Sequence, residues 1–109
     1  MSEHADNSRL EFIAEMISDI EYTLEKYTHL TQALDDRIAK HALLMCLLQI
    51  GETLNKIETP ALRSRLPIKG AYDVRNFIAH DYEGVDKGLI DSILRYQIPE
   101  LKEIVDGLI

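Results

Sequence analysis

Ala42-Leu43-Leu44-Met45-Cys46-Leu47-Leu48-Gln49-Ile50 is the stretch that decides the fold. A surface helix carries one apolar stripe, whereas this run is apolar almost all round. It therefore predicts a helix buried on two sides, either central in a bundle or covered by a second subunit. The unbroken part, Ala42 to Leu48, is much too short to span a bilayer. Thr31 to Asp36 supplies helix-starting residues, so the second helix is expected to run from there to Ile57. Gly51 interrupts it at a cost of about 1 kcal/mol relative to Ala, tolerated best where another backbone comes close. Glu52 reads as a surface or capping residue, with contact to Arg75 as its lesser reading.

Outward from this helix, Leu10, Ile13, Ile17, Ile20, Leu24 and Tyr27 recur at spacings of three and four and form a first apolar stripe. Its opposite face carries Glu11, Glu15, Asp19, Glu21 and Glu25, a solvated surface. Pro60 and Pro67 bracket a one-turn helical connection that Gly70 ends, and a third helix is expected to start near Ala71. Gly84 breaks that pattern. Asp86 can cap a fourth helix with Leu89, Ile90, Ile93, Leu94, Leu101, Ile104, Val105 and Leu108 as its apolar positions, kinked at Pro99. The expectation is an all-α, up-and-down four-helix bundle with a short extra helix or turn between helices two and three. It should form one domain over residues 1–109, of which 1–7 are a flexible tail.

Few aromatics, no Trp and a 46% hydrophobic share fit such a helical core. The single cysteine, Cys46, lies in the apolar run, excludes an internal disulfide and reads as a buried structural thiol in a reducing compartment. No basic stretch followed by an apolar segment marks a signal peptide, and a cytoplasmic location is expected. His4, His29 and His41 show no ligand spacing with Cys46 or one another, which speaks against a metal site, and no cofactor is expected. His41 reads as an ordinary surface residue.

The net charge of −7 opposes general nucleic-acid coating, since phosphate binding is driven by accumulated Lys and Arg. The charge is unevenly spread. Lys56 to Arg75 carries a local +3, while residues 1–36 carry −7. Arg63, Arg65 and Lys69 in the basic segment are candidate RNA-binding residues that lead into Val74-Arg75-Asn76-Phe77-Ile78-Ala79-His80-Asp81-Tyr82. There a permanent cation, an imidazole and a phenol fall within eight residues. On an ideal helix Val74, Phe77 and Ile78 form the anchoring face, and Arg75 and Tyr82 share one of its edges. His80, five residues from Arg75, falls about 140° away. Either the helix loosens before His80, or the site is composite across a two-fold axis. Guanidinium suits phosphate oxygens and imidazole moves protons near neutral pH, a pair suited to metal-free RNA cleavage through attack of the ribose 2′-hydroxyl. Asn76 can position a phosphate or orient the histidine.

The string Arg75-x4-His80-x-Tyr82 resembles the motif of the HepT-like ribonuclease toxins, a family of the HEPN superfamily of helical bundles. The context is similar too: Ile50-Gly51-Glu52, Arg75-Asn76 followed by an apolar pair, Val85-Asp86, and Ile98-Pro99-Glu100-Leu101, over roughly residues 8–108. The resemblance implies a homodimer with Arg75 and His80 as the catalytic pair at the subunit cleft. It also implies a nucleotidyltransferase antitoxin that transfers AMP from ATP to Tyr82, an added charge that would block the RNA path. Asp81 is a departure, because a carboxylate so close opposes an RNA backbone. The alternative reading is a non-catalytic nucleotide- or substrate-binding subunit of a minimal nucleotidyltransferase, and a weaker one is a purely structural helical dimer.

Overall fold

The computed structural model describes residues 2–109, with side chains from His4 onward. Helix α1 (Ser2–Leu24) buries the stripe Leu10, Ile13, Ile17 and Ile20, while Leu24 and Tyr27 pack half-buried against it. Glu11, Glu15, Asp19, Glu21 and Glu25 are exposed, as their place opposite the stripe requires. The stretch read as a flexible tail is instead helical from Ser2, and Asp6 within it is fully buried. Its carboxylate accepts hydrogen bonds from the Glu58 amide at 3.1 Å and the Thr59 amide at 2.8 Å, and ion-pairs with Arg9 at 2.7 Å. Burial alone would push the Asp6 carboxyl up. The hydrogen bonds from Thr59, Arg9 and Glu58 outweigh burial and hold the group well below the usual carboxylate range.

The expected second helix is two helices. Helix α2 (Leu30–Asp35) stops at Asp36, whose extended backbone starts α3 (Arg37–Lys56). The Asp36 side chain accepts from the amides of Ile38 at 2.9 Å and Ala39 at 3.1 Å, and the Tyr27 hydroxyl donates to it at 3.0 Å. A capping aspartate inside the run thus overrides its continuous helical propensity.

Helix α3 packs on both α1 and α5 and buries Leu43, Leu44, Leu47, Ile50 and Leu54. Its two-sided burial is met within one chain, although Ile38 and Met45 stay exposed. Cys46 is buried as expected, and burial pushes its thiol up to about 11.

Pro60 opens the one-turn α4 (Pro60–Arg63), and α5 spans Ile68–His80. Helix α5 starts three residues earlier than the glycine suggested, with Gly70 an exposed member of its first turn. Asp86 caps α6 (Lys87–Ser92), its carboxylate accepting from Gly88 at 2.9 Å and Leu89 at 3.2 Å. A π-helical turn, Ile93–Gln97, joins α6 to α7 (Ile98–Leu108). At its end the Ile98 amide reaches the carbonyl of Ile93, a wider loop than the α-helical bond. The missing amide of Pro99 is absorbed by this widened turn at the point where a kink was expected.

Side-chain contacts fix the directions. The start of α1 meets the end of α3 through Asp6, and Lys102 of α7 pairs with Glu21 near the end of α1 at 2.8 Å. Gly51, late in α3, lies against Ala71, early in α5, while His41, early in α3, meets Tyr82 just past the end of α5. The long rods α1, α3, α5 and α6–α7 therefore alternate in direction, giving an all-helical up-and-down bundle. Among the described residues there is no strand, and no helix is long and apolar enough to cross a membrane.

Candidate active site

Arg75 lies in the middle of α5 and is held there by α3. A Cβ added at Gly51 would lie 2.6 Å from the Ala71 carbonyl oxygen and 2.7 Å from the Arg75 Cβ. Only glycine lets the two helices come this close, which answers the glycine's cost in mid-helix. The next residue, Glu52, then reaches across, and its carboxylate ion-pairs with the Arg75 guanidinium at the buried Nε. Arg75 Nη1 donates to the Asn76 Oδ1 at 2.9 Å, and the guanidinium stands 5.6 Å from the Tyr72 ring centroid. The lesser reading of Glu52 is the observed one. The ion pair leaves the guanidinium one-third exposed, with its direction fixed by a neighbour rather than by solvent.

His80 is the last residue of α5 and is exposed. The helix stays regular through it, so loosening before the histidine is excluded. By helical geometry Arg75 and His80 of one chain leave α5 about 140° apart. The monomer does not aim them at a common atom. Asp81 ends the helix, and its carboxylate accepts from the Gly84 amide at 3.0 Å in a tight turn.

Tyr82 lies beyond the end of α5 rather than on the helix edge shared with Arg75. It is half-buried against α3, where burial pushes its phenol up. The His41 Nδ1 is 3.2 Å from the Tyr82 hydroxyl, which also donates to the His41 carbonyl at 3.3 Å. The two rings lie nearly parallel, at 13° and 5.6 Å between centroids. His41, read from sequence as an ordinary surface residue, is thus a direct partner of the motif tyrosine. The missed signal is its spacing: His41 and Glu52 are eleven residues apart, about three helical turns, and so share one face of α3.

The other candidates are dispersed. Arg63 donates to the Ile57 carbonyl at 2.6 Å and the Asn55 carbonyl at 3.3 Å, closing the end of α3. Lys69 pairs with Asp73 at 2.7 Å, and Arg65 is exposed between α4 and α5. Phe77, expected on the core face with Val74 and Ile78, is 39% exposed. A small apolar groove of about 70 Å³, walled by Leu47, Ile50, Ala71, Val74, Ile98 and Leu101, takes in none of Arg75, His80 and Tyr82. Among the described residues, no three His, Cys, Asp or Glu side chains gather in a way that could hold a metal ion.

The family model for HepT-like proteins, described as "Ribonuclease HepT-like", matches residues 13–108. The chain belongs to the HepT-like ribonuclease family. It is 28% identical over 99 residues to "Putative RNase MJ1216" of Methanocaldococcus jannaschii, covering 89% of this chain and 81% of that protein. It is 30% identical over 78 residues to "Putative RNase MJ0125" of the same organism, covering 70% of this chain and 67% of that one. No solved structure matches the chain. Within the HepT-like frame, Glu52 and His41 give α3 a defined part: each holds one residue of the Arg75-x4-His80-x-Tyr82 string.

Proposed function

We propose that this HepT-like protein is the ribonuclease toxin of a toxin–antitoxin pair, acting in the cytoplasm without a metal ion. Membership of a ribonuclease family with the whole Arg75-x4-His80-x-Tyr82 string in place carries the reading. Two copies, related by a two-fold axis, supply a composite site in which the arginine of one protomer and the histidine of another face one RNA strand. The His80 imidazole takes the proton of a ribose 2′-hydroxyl. The 2′-oxygen then bonds to the adjacent phosphorus as the bond to the 5′-oxygen breaks, and that oxygen leaves with the electron pair and takes a proton from water. Arg75, pre-aimed by Glu52, stabilises charge on the phosphoryl oxygens, and Asn76 supports it. The strand ends in a 2′,3′-cyclic phosphate, and DNA, lacking the nucleophile, is spared. Arg63, Arg65 and Lys69 add weaker phosphate attraction along the approach. A nucleotidyltransferase antitoxin switches the site off by transferring AMP to Tyr82, where added bulk and charge obstruct the strand.

The test is cleavage of total RNA by the purified, unmodified protein, with end analysis. Arg75→Ala and His80→Ala should each lose at least about 100-fold in rate, the size of a general-base or oxyanion contribution. Chains with intact secondary structure that cut as well as the wild type would defeat the proposal.

One observation favours a second reading. A single chain does not converge Arg75 and His80, as expected of a binding subunit that presents Tyr82 to the transferase and holds phosphate without cutting it. Under that reading total RNA stays intact at any protein concentration, and equilibrium sedimentation shows monomers.

A further inference from the structure

The cleavage scheme uses Arg75 and His80 and leaves His41 without a part. Yet His41 makes the closest polar side-chain contact to Tyr82, with Nδ1 3.2 Å from the hydroxyl. A phenol whose hydroxyl lies within hydrogen-bond reach of an imidazole has the geometry of an activated nucleophile. We propose that His41 is the general base for nucleotidyl transfer to Tyr82.

This proposal rests on the reading of Tyr82 as the modified residue. The single phenolic proton has two acceptors within reach, the His41 carbonyl at 3.3 Å and, in the tautomer protonated on Nε2, the His41 Nδ1 at 3.2 Å, and transfer proceeds when the hydroxyl turns its proton from the carbonyl to Nδ1. The Tyr82 Oη bonds to the α-phosphorus of a nucleoside triphosphate. The bond from that phosphorus to the oxygen bridging toward the β-phosphate breaks, and pyrophosphate leaves with the electron pair. The proton on His41 passes to water, because the ring is exposed.

The surroundings support this role. Burial pushes the Tyr82 phenol up, so the unaided hydroxyl is a poor nucleophile and needs a proton acceptor. Two charged neighbours in the chain are engaged elsewhere. Asp81, one residue before Tyr82, accepts from the Gly84 amide, and the Lys40 ammonium donates to the Glu83 carbonyl at 3.3 Å. Among the described residues the hydroxyl's hydrogen-bond partners are the His41 ring and the His41 carbonyl, and no carboxylate accepts from it. The Lys40 contact also pins the segment that follows Tyr82 to α3. The near-parallel rings hold the phenol beside the imidazole before any nucleotide arrives.

The experiment incubates the full chain with a nucleotidyltransferase of the proposed antitoxin class and magnesium ATP, following intact mass and mapping the modified residue. His41→Ala and His41→Gln should each be labelled at least about 100-fold more slowly than wild type, while their circular dichroism melts stay close to it. Glutamine keeps a hydrogen-bonding partner but cannot hold the proton, so its failure separates proton transfer from positioning. Added imidazole should restore labelling of His41→Ala and do nothing for Tyr82→Phe. Labelling of His41→Ala at the wild-type rate would overturn the inference while leaving Tyr82 as the target. A loss that imidazole leaves unchanged and that His41→Gln repairs would reduce His41 to a packing role and equally overturn it. A wild-type chain that gains no nucleotide, or gains it away from Tyr82, would end both the target and its base.

Discussion

Helix α3 holds the motif at two places, and the two holds are built differently. At Glu52 the helices are pressed together by Gly51, and a carboxylate clamps the guanidinium of Arg75. At His41, about 16 Å away along the same face, the partner is a tyrosine outside any helix, held by ring packing and by a hydroxyl 3.2 Å from the His41 Nδ1 and 3.3 Å from the His41 carbonyl. The first arrangement fixes a cation on a rigid element, as transition-state stabilisation demands. The second leaves the phenol on a turn closed by Asp81 and Gly84, where it can exchange one partner for another. The roles proposed for the two ends follow that difference: a cleavage site needs a fixed cation, whereas a tyrosine proposed as the target of a second enzyme needs to be reachable.

The strongest way to break the comparison is Glu52→Gln. If the carboxylate aims the guanidinium, cleavage should fall by up to about 100-fold in kcat with KM little changed, since misplacement of about 1 Å has that effect. Stability should shift by less than about 1 kcal/mol, because both side chains of the pair are one-third exposed. Steady-state cleavage of a short RNA reads the first quantity and a thermal melt the second. A melt that collapses while the surviving rate is normal would mean that Glu52 only glues the helices.

The Glu52 end is pinned a second time, where Asp6 binds the amides of Glu58 and Thr59 just past α3. A carboxylate held below its ordinary value stabilises the native state fully above the unfolded value of 3.8, and that contribution is lost as pH falls below it. Asp6→Asn should cost about 2–3 kcal/mol at pH 7, in the range of hydrogen bonds to a charged group. It should also flatten the dependence of stability on pH below about 4. Denaturant melts of both proteins from pH 7 to pH 2 decide it, and parallel curves would count against Asp6 as the acid-labile group.

Gly51→Ala sharpens the contrast from the packing side. The new Cβ would meet the Ala71 carbonyl at 2.6 Å, so the helices must part, at about 1–3 kcal/mol. Melting should fall by about 4–8 °C for each kcal/mol. Cleavage should fall with it as Arg75 moves from Glu52. Tyr82, three turns away, should keep its contact with His41, visible as unchanged nuclear Overhauser effects between the two rings.

The rods were legible in the sequence because period and punctuation agree. Leu10 to Ile20 mark one buried stripe, Pro60 opens a turn of helix, and Asp86 caps the last rod. The glycine in mid-α3 correctly signalled a close backbone. Local pattern does not disclose partners far apart in the chain. Asp6 looked like part of a polar tail because the amides it satisfies lie 52 and 53 residues on. Asp36 looked like one of several starters in a single helix, when its cap and the Tyr27 hydroxyl make it a break. At the site, Arg75 and Tyr82 stood out by residue type, whereas their holders did not. Glutamate and histidine on a helix surface are ordinary until the facing helix is known. That His80 and Arg75 diverge on one helix was legible, since only the helical repeat is needed to see it.

The smallest expected effect tests the weaker hold. Tyr82→Phe removes the hydroxyl that donates to the His41 carbonyl while leaving the ring on α3. A net hydrogen bond at a half-buried position is worth about 0.5–1.5 kcal/mol, and the low end applies where water can replace the lost partner. The melt should therefore move by only a few degrees, less than for Gly51→Ala. Amide hydrogen exchange should quicken around Glu83 and Gly84 and stay unchanged around Asn55 and Lys56 at the other end of α3. Equal quickening at both ends would mean that the α3–α5 contact opens as one unit, and the separation drawn between a fixed cation and an exchangeable phenol would fail with it.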